Sequence, residues 1–241
     1  MLVLFDIDAT LLKTNRAGVY AMHEAARELF HPDFLLDGVE FGGSLDPLIM
    51  RRLLMRNGLA PDTDKILAWR RLYAERLFQR LETPGAGRAL PGVHEILEKL
   101  ERTRGVMLGI LTGNYPETGA AKLRASGLHP DRFLLKLFAT DSPFDPPQRE
   151  HLPAVALRRY TALRGRIARP EEVVIIGDTP NDVSCALANE CWVMGVATGT
   201  FSETELRASG AHDVRADLSD TDDIVAWIMS RSEAAPKAAL R

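Results

Sequence analysis

The chain is poor in cysteine: it has two, Cys185 and Cys191, in 241 residues. Two cannot make a disulfide framework, and their separation of six with no histidine nearby fits no zinc-site spacing. Both are expected to pack as small apolar groups, which favours a reducing compartment and a cytoplasmic location. No apolar run approaches the roughly 20 residues of a membrane span. Asp6 interrupts the first apolar run before it reaches signal-peptide length, and no basic segment precedes it. Neither sign of charge is in excess. Thirty Lys and Arg against 33 Asp and Glu leave −3, which gives no electrostatic reason to expect nucleic acid or an acidic membrane. No internal repeat is present. With 46% hydrophobic residues the chain has enough for a well-buried core, as one large domain or a domain with an insert.

What is present begins at once. Leu2 to Phe5 form an apolar run of strand formers, as in a strand buried on both faces of a parallel sheet. It ends at Asp6, and Asp8 follows two residues later, so an extended chain sends both carboxylates the same way. Two carboxylates at the carboxyl edge of a buried strand repel each other, and a divalent cation such as Mg²⁺ between them removes the problem. Ligands of open α/β sheets also lie at that edge. A plain turn, or a helix cap by Asp8 or Thr10, is the alternative on this stretch alone.

Helical spacing follows over Asn15 to Phe30 and again over 47–57, where Asp46-Pro47 supplies a cap and a first-turn proline and Gly58 a stop. A third helix starts at Asp62 or Thr63 and carries Trp69, Leu72 and Tyr73 on an apolar stripe. No strand is evident between about Leu12 and Leu90, so 14–90 reads as a helical insert with hinges at its two ends. From Pro91 strands alternate with helices. Val106 to Leu111, Phe133 to Ala139, Val173 to Ile176, Trp192 to Val196 and a last edge strand near Val214 read as strands. Helices are expected around Val93–Leu100, up to Gly127, over Leu152–Leu163, over Ser202–Ser209 and over Ile224–Met229. This alternation predicts an α/β fold: a Rossmann-like parallel sheet with helices on both faces. The segment from Ser230 has no apolar periodicity and is expected to be a mobile tail.

Four strands end in polar clusters: Asp6 and Asp8, Thr112-Gly113-Asn114, the loop after Ala139, and Gly177-Asp178-Thr-Pro-Asn-Asp182. This set and its order resemble the haloacid dehalogenase superfamily, in its phosphoglycolate phosphatase and β-phosphoglucomutase branch with a helical cap. The resemblance runs from Leu2 to about Met229. It implies a core of 1–13 and 91–229, a cap of 14–90 and a tail of 230–241. It implies Asp6 as the nucleophile that forms an aspartyl-phosphate and Asp8 as general acid and then base. Mg²⁺ would be held by Asp6, the backbone carbonyl of Asp8, and Asp178. Thr112 and the amides of Gly113 and Asn114 would hold the phosphoryl group, with Thr10 and Asp182 in support.

There are departures. Ala9 stands where the family usually has glycine, and no Lys-Pro follows the third strand. Arg149 is the favoured basic residue of that third motif, with Lys136 as its rival. Asp8 favours phosphate-ester chemistry over carbon–halogen or carbon–phosphorus cleavage. Arg16, Arg51, Arg52 and Arg88 are candidates for a second anionic group of the substrate, against a bland reading as solvated helix faces. His23, His94 and His151 lack metal-site spacing. The expected activity is Mg²⁺-dependent hydrolysis of a small phosphomonoester by a monomer or homodimer. The alternatives are a sugar phosphomutase on the same scaffold and a non-catalytic phosphate-binding module.

Overall fold

The computed structural model describes residues 1–234. Leu2–Phe5 (β1) is joined through Leu12–Lys13 (β2) to three helices, Ala17–Leu29 (α1), Asp46–Arg56 (α2) and Thr63–Leu81 (α3). The chain returns through Arg88–Ala89 (β3) and Val93–Arg102 (α4). Then follow Met107–Leu111 (β4), Pro116–Ala125 (α5), Leu135–Leu137 (β5), Leu152–Arg164 (α6), Val173–Gly177 (β6), Pro180–Leu187 (α7), Trp192–Val196 (β7), Glu203–Ala208 (α8), Asp213–Arg215 (β8) and Thr221–Ala234 (α9). Six strands form one parallel sheet in the order β5-β4-β1-β6-β7-β8. β1 lies inside it, with Phe5 opposite both Ile110 and Ile176.

The alternation of β1 divides the core. Val3 and Phe5 pack with Ile96 and Leu100 of α4 and with Ile224 and Ile228 of α9. Leu2 and Leu4 pack on the other face with Ala156 and Tyr160 of α6 and Val183 and Ala186 of α7. A continuous apolar run is therefore required in β1, because neither face meets water. The chain leaves β1 toward β4 on one side and later places β6 on the other. That reversal opens a crevice beyond the carboxyl ends of β4, β1 and β6.

The three insert helices share a core of their own, in which α1 and α3 lie along each other and Met22, Ala25, Trp69 and Leu77 are buried. Trp69 donates its indole N–H to the carbonyl of Met22 (2.9 Å), so its burial leaves no orphan donor. The Trp69 and Tyr73 stripe is thus insert core.

Several expectations need correction. The stretch read as strand-free contains β2 and β3, which pair antiparallel with Leu12 opposite Ala89. The insert's two connections are therefore tied together, by a pairing between residues too distant in sequence for local pattern to reveal. Asp46 does not cap α2 but is its first residue, after Leu45. Its N–H donates to Gly113 O (2.7 Å), which draws it onto the core. The third strand is shorter than read, Leu135–Leu137, because a turn of 3₁₀ helix takes over at Ala139. α7 had no apolar periodicity to announce it; it starts through a reciprocal cap between Thr179 and Asp182. α9 continues to Ala234, past Ser230. Arg231 accounts for this by stacking between Trp192 and Trp227, 4.9 Å from each ring centre. The rest of the expected tail, 235–241, lies outside the described residues. Among the described residues no helix is long and apolar enough to cross a membrane.

Candidate active site

Asp6 follows β1 directly. Its N–H extends the pairing by donating to Ile176 O (2.9 Å), so the backbone is fixed and the carboxylate is buried at the sheet edge. The chain then turns tightly: Ala9 has φ 57° and donates its N–H to Leu12 O (2.8 Å). This left-handed position explains why glycine suits the site, and alanine holds it at a cost of roughly 1 kcal/mol.

Asp6 and Asp8 meet different surroundings. Arg149 Nη2 lies 3.1 Å from Asp6 Oδ1 and 2.5 Å from Asp182 Oδ1. It also donates to Leu111 O (3.3 Å), and Nη1 donates to Gly43 O (3.3 Å) of the insert. Asp8 makes no contact with this arginine. Its Oδ2 accepts from Lys122 Nζ (2.7 Å) and Asn114 Nδ2 (2.8 Å). Lys122 Nζ also donates to Asn114 Oδ1 (2.7 Å), and Asn114 Nδ2 donates to Thr112 Oγ1 (2.8 Å). Thr112, Asn114, Lys122 and Asp8 thus form one chain of bonds from the end of β4. Burial alone would lower the Lys122 ammonium, but Asp8 and Asp46 outweigh it and hold the group above the ordinary lysine value.

At the end of β6, Asp178 is buried and receives Thr10 Oγ1 (3.4 Å). One carboxylate oxygen from each of Asp6, Asp178 and Asp182 lies within 4.8 Å of the others. Asp182 is already engaged, through Oδ1 to Arg149 and through Oδ2 to Thr179 N (3.1 Å) and Oγ1 (2.7 Å). Its close approach depends on Gly177, where a Cβ would stand 2.1 Å from Asp182 Cγ. Three carboxylates thus share one arginine, Arg149, and the cluster is short of positive charge. Burial pushes Asp6 up to about 6, with Arg149 opposing and Asp182 and Asp8 adding. Burial, with Asp182 and Asp6 adding and Arg149 opposing, pushes Asp178 up to about 8. Oxygen donors short of positive charge form a donor set suited to a hard divalent cation.

The insert closes over this edge. Asn181 Nδ2 donates to Gly42 O (3.0 Å), and Gly113 lies so near Ser44 that a Cβ there would be 2.0 Å from its carbonyl. A cavity of about 420 Å³ remains between insert and sheet. Asp6, Asp8, Thr112, Gly113, Asn114, Arg149 and Asp178 line it on the core side, and Val19, Met22, Ile49 and Tyr73 on the insert side.

Among the residues expected from sequence, these core groups and Thr10 and Asp182 converge on one edge. Lys136 does not: it is half-buried in β5, its carbonyl accepting from Arg159 (3.0 Å), away from the cavity. Arg51 is paired with Asp145 (2.5 Å), and Arg52 and Arg88 are exposed away from the cavity. Arg16 reaches the cavity but is exposed. His23 and His151 bond Phe34 O (2.9 Å) and Ser142 Oγ (3.0 Å), and neither they nor His94 line this cavity. Lys122 and Asp46 were not foreseen. The signal for Lys122 was its place on the stripe Thr118, Gly119, Lys122 and Leu123, the buried face of α5. Asp46 was masked by its resemblance to a helix cap.

The family model for haloacid dehalogenase-like hydrolases matches residues 3–187. No curated protein matches the chain. Among solved structures, CbbY from Rhodobacter sphaeroides in complex with phosphate superposes with a TM-score of 0.72 at 21% identity, covering 91% of this chain and 95% of that one. A predicted phosphoglycolate phosphatase from Haemophilus somnus gives 0.68 at 20% identity, covering 93% and 97%. A protein of Thermotoga maritima assigned as a β-phosphoglucomutase gives 0.63 at 18% identity, covering 94% and 98%. At these identities the likeness establishes the fold.

Proposed function

Because this chain belongs to the haloacid dehalogenase-like hydrolases, we propose that it is a Mg²⁺-dependent phosphatase acting on a small phosphomonoester through an aspartyl-phosphate on Asp6. One observation carries the reading. Two carboxylates two residues apart are given different surroundings, Asp6 buried against Arg149 in a cluster with Asp178, and Asp8 more open and held by Lys122 and Asn114. Groups set apart in this way take separate parts in a reaction.

Asp6 attacks phosphorus, and the ester P–O bond breaks. The leaving oxygen takes the proton of Asp8. Asp8, now a carboxylate, removes a proton from water. The hydroxide attacks phosphorus, the bond to Asp6 breaks, and phosphate leaves. Lys122 and Asn114 both hold Oδ2 of Asp8, which leaves its other oxygen to carry the proton. Arg149 and Thr112 stabilise charge on the phosphoryl oxygens. Asp6 and Asp178, with the carbonyl of Asp8, would hold Mg²⁺. The deficit of positive charge around the two carboxylates fits it, and it would neutralise the repulsion between phosphate and Asp6. The core of 1–13 and 91–229 would supply the chemistry, and the cap of 14–90 would exclude water and select the alcohol.

Lys122→Met should lower kcat by about a hundredfold with KM little changed, because the lost charge positions Asp8 rather than the substrate. Steady-state kinetics on one ester checks this. Metal binding has a separate readout. A carboxyl raised in the folded state costs stability once pH passes its unfolded value, about 4, and the cost grows until its folded value is passed. With Asp6 at about 6 and Asp178 at about 8, the metal-free protein should lose stability from about pH 4 to about pH 8. Mg²⁺ at a hundred times its Kd should add about 2.7 kcal/mol at pH 8. At pH 5 the same concentration should add less, because protons compete. Thermal denaturation at the two pH values reads both effects.

Phosphate release from a panel of phosphomonoesters, with and without Mg²⁺, tests the reading. A sugar 1-phosphate converted to its 6-phosphate without free phosphate would replace it with the mutase. Tight phosphate binding with no turnover would replace it with the binding module.

A further inference from the structure

Asp46 takes no part in the steps above, yet it is a carboxylate buried in the wall of the cavity. It is 8% exposed, at the start of α2, where the insert meets the loop after β4. Among the described residues its carboxylate accepts one hydrogen bond, a long one from Tyr115 N–H to Oδ2 (3.3 Å). No described residue donates to Oδ1. Lys122 is the cation that acts on it most, and that ammonium is already bonded to Asp8 and Asn114. Burial accordingly pushes Asp46 up to about 7, with Lys122 easing the shift and Asp8 adding to it. It lines the same cavity as Lys122 and Asp8, the residue that serves the leaving group.

A buried carboxylate with a free oxygen on a cavity is costly unless what enters the cavity donates to it. Phosphates and carboxylates cannot; they accept, and they add repulsion at low dielectric. A hydroxyl or an ammonium can. Of the insert residues that line the cavity with Asp46, Val19, Met22, Ile49 and Tyr73 carry no cation. Lys13 and Arg16 also line the cavity, but Arg16 is exposed, with its guanidinium 5.9 Å from the ring of Tyr20.

We propose that Asp46 determines specificity by accepting a hydrogen bond from a hydroxyl or amino group next to the ester oxygen, so that the substrates are phosphate esters of small polyols or amino alcohols. Esters with a carboxylate or second phosphate at that carbon are rejected. This rests on the phosphatase reading.

The test is kcat/KM for glycerol phosphate, phosphoethanolamine and phosphoglycolate, with p-nitrophenyl phosphate as a generic ester, on the wild type and on Asp46→Asn. Asparagine keeps an acceptor for Tyr115 N–H, so the loop should hold, and thermal denaturation checks it. The wild type should prefer glycerol phosphate or phosphoethanolamine over phosphoglycolate by about tenfold or more, about 1.4 kcal/mol. Which of the two leads tells hydroxyl from ammonium. Asp46→Asn should shrink that ratio to near unity. Preference for phosphoglycolate in the wild type, or an unchanged ratio in a folded Asp46→Asn protein, would overturn the assignment. Failure to turn over even p-nitrophenyl phosphate would count against the phosphatase reading instead. The specificity would then be decided by dissociation constants of the same three esters, measured calorimetrically with Mg²⁺ on Asp6→Asn protein, where the same preference is expected and its absence overturns it.

Discussion

Asp6→Asn is expected to lower phosphate release by on the order of 10⁴-fold, about 5.4 kcal/mol of transition-state stabilisation. The amide has the shape of the carboxylate but is no nucleophile, so the loss should fall on kcat rather than on the fold. The same change should not destabilise the metal-free protein at pH 8. Asp6 is a buried carboxyl raised to about 6, so at that pH its ionised form costs stability, and the neutral amide removes the cost. Arg149 keeps its 2.5 Å contact with Asp182. An inactive protein with an equal or higher Tm without metal is therefore the expected pair of results. A merely structural Asp6 would give the opposite pair, with activity kept and Tm lowered. Phosphate release and thermal denaturation on one preparation decide between them.

Arg149→Met should injure both properties together. The side chain is buried and compensates two buried carboxylates, Asp6 and Asp182. Removing one partner of a buried pair typically costs about 3–5 kcal/mol, because the remaining charge is left uncompensated. For a chain of this length that is a fall in Tm of roughly 10 °C. Turnover should fall by about 10²–10³-fold, as when one donor to a developing anion is lost. Arg149→Lys should keep the charge but not the fork, which spans Gly43 O, Leu111 O and the two carboxylates. It should recover much of the stability and less of the rate. Tm and kcat of the two variants, side by side, check this. Full turnover in Arg149→Met would remove Arg149 from the chemistry.

These expectations separate what local pattern reveals from what only folding assembles. β1 was legible because a strand buried on both faces needs an unbroken apolar run, and Asp6 and Asp178 were legible as the charges that end such runs. Arg149 was legible as a candidate by its place after the third strand; that it reaches Asp6 depends on the packing of β1 between β4 and β6. The pairing of Leu12 with Ala89 was not legible, since two-residue strands carry no period and their partners lie on either side of a whole helical insert. Lys122 was hidden for a related reason. A lysine two turns into a helix reads as solvated until the fold sets Asp8, in the turn after β1, 2.7 Å from its Nζ. Asp46 shows the converse: its local pattern was right for a cap, but bonds to Gly113 and Tyr115 draw it into the cavity wall.

The claim that Asp6 becomes covalently phosphorylated is tested most directly by trapping. Enzyme mixed with a turned-over ester and Mg²⁺ is quenched in acid within one turnover, and its peptides are mapped by mass. The predicted result is a phosphoryl group on the peptide carrying Asp6, absent from Asp6→Asn and lost on longer incubation as phosphate appears. Phosphate released at full rate with no adduct on that peptide at any time would contradict it.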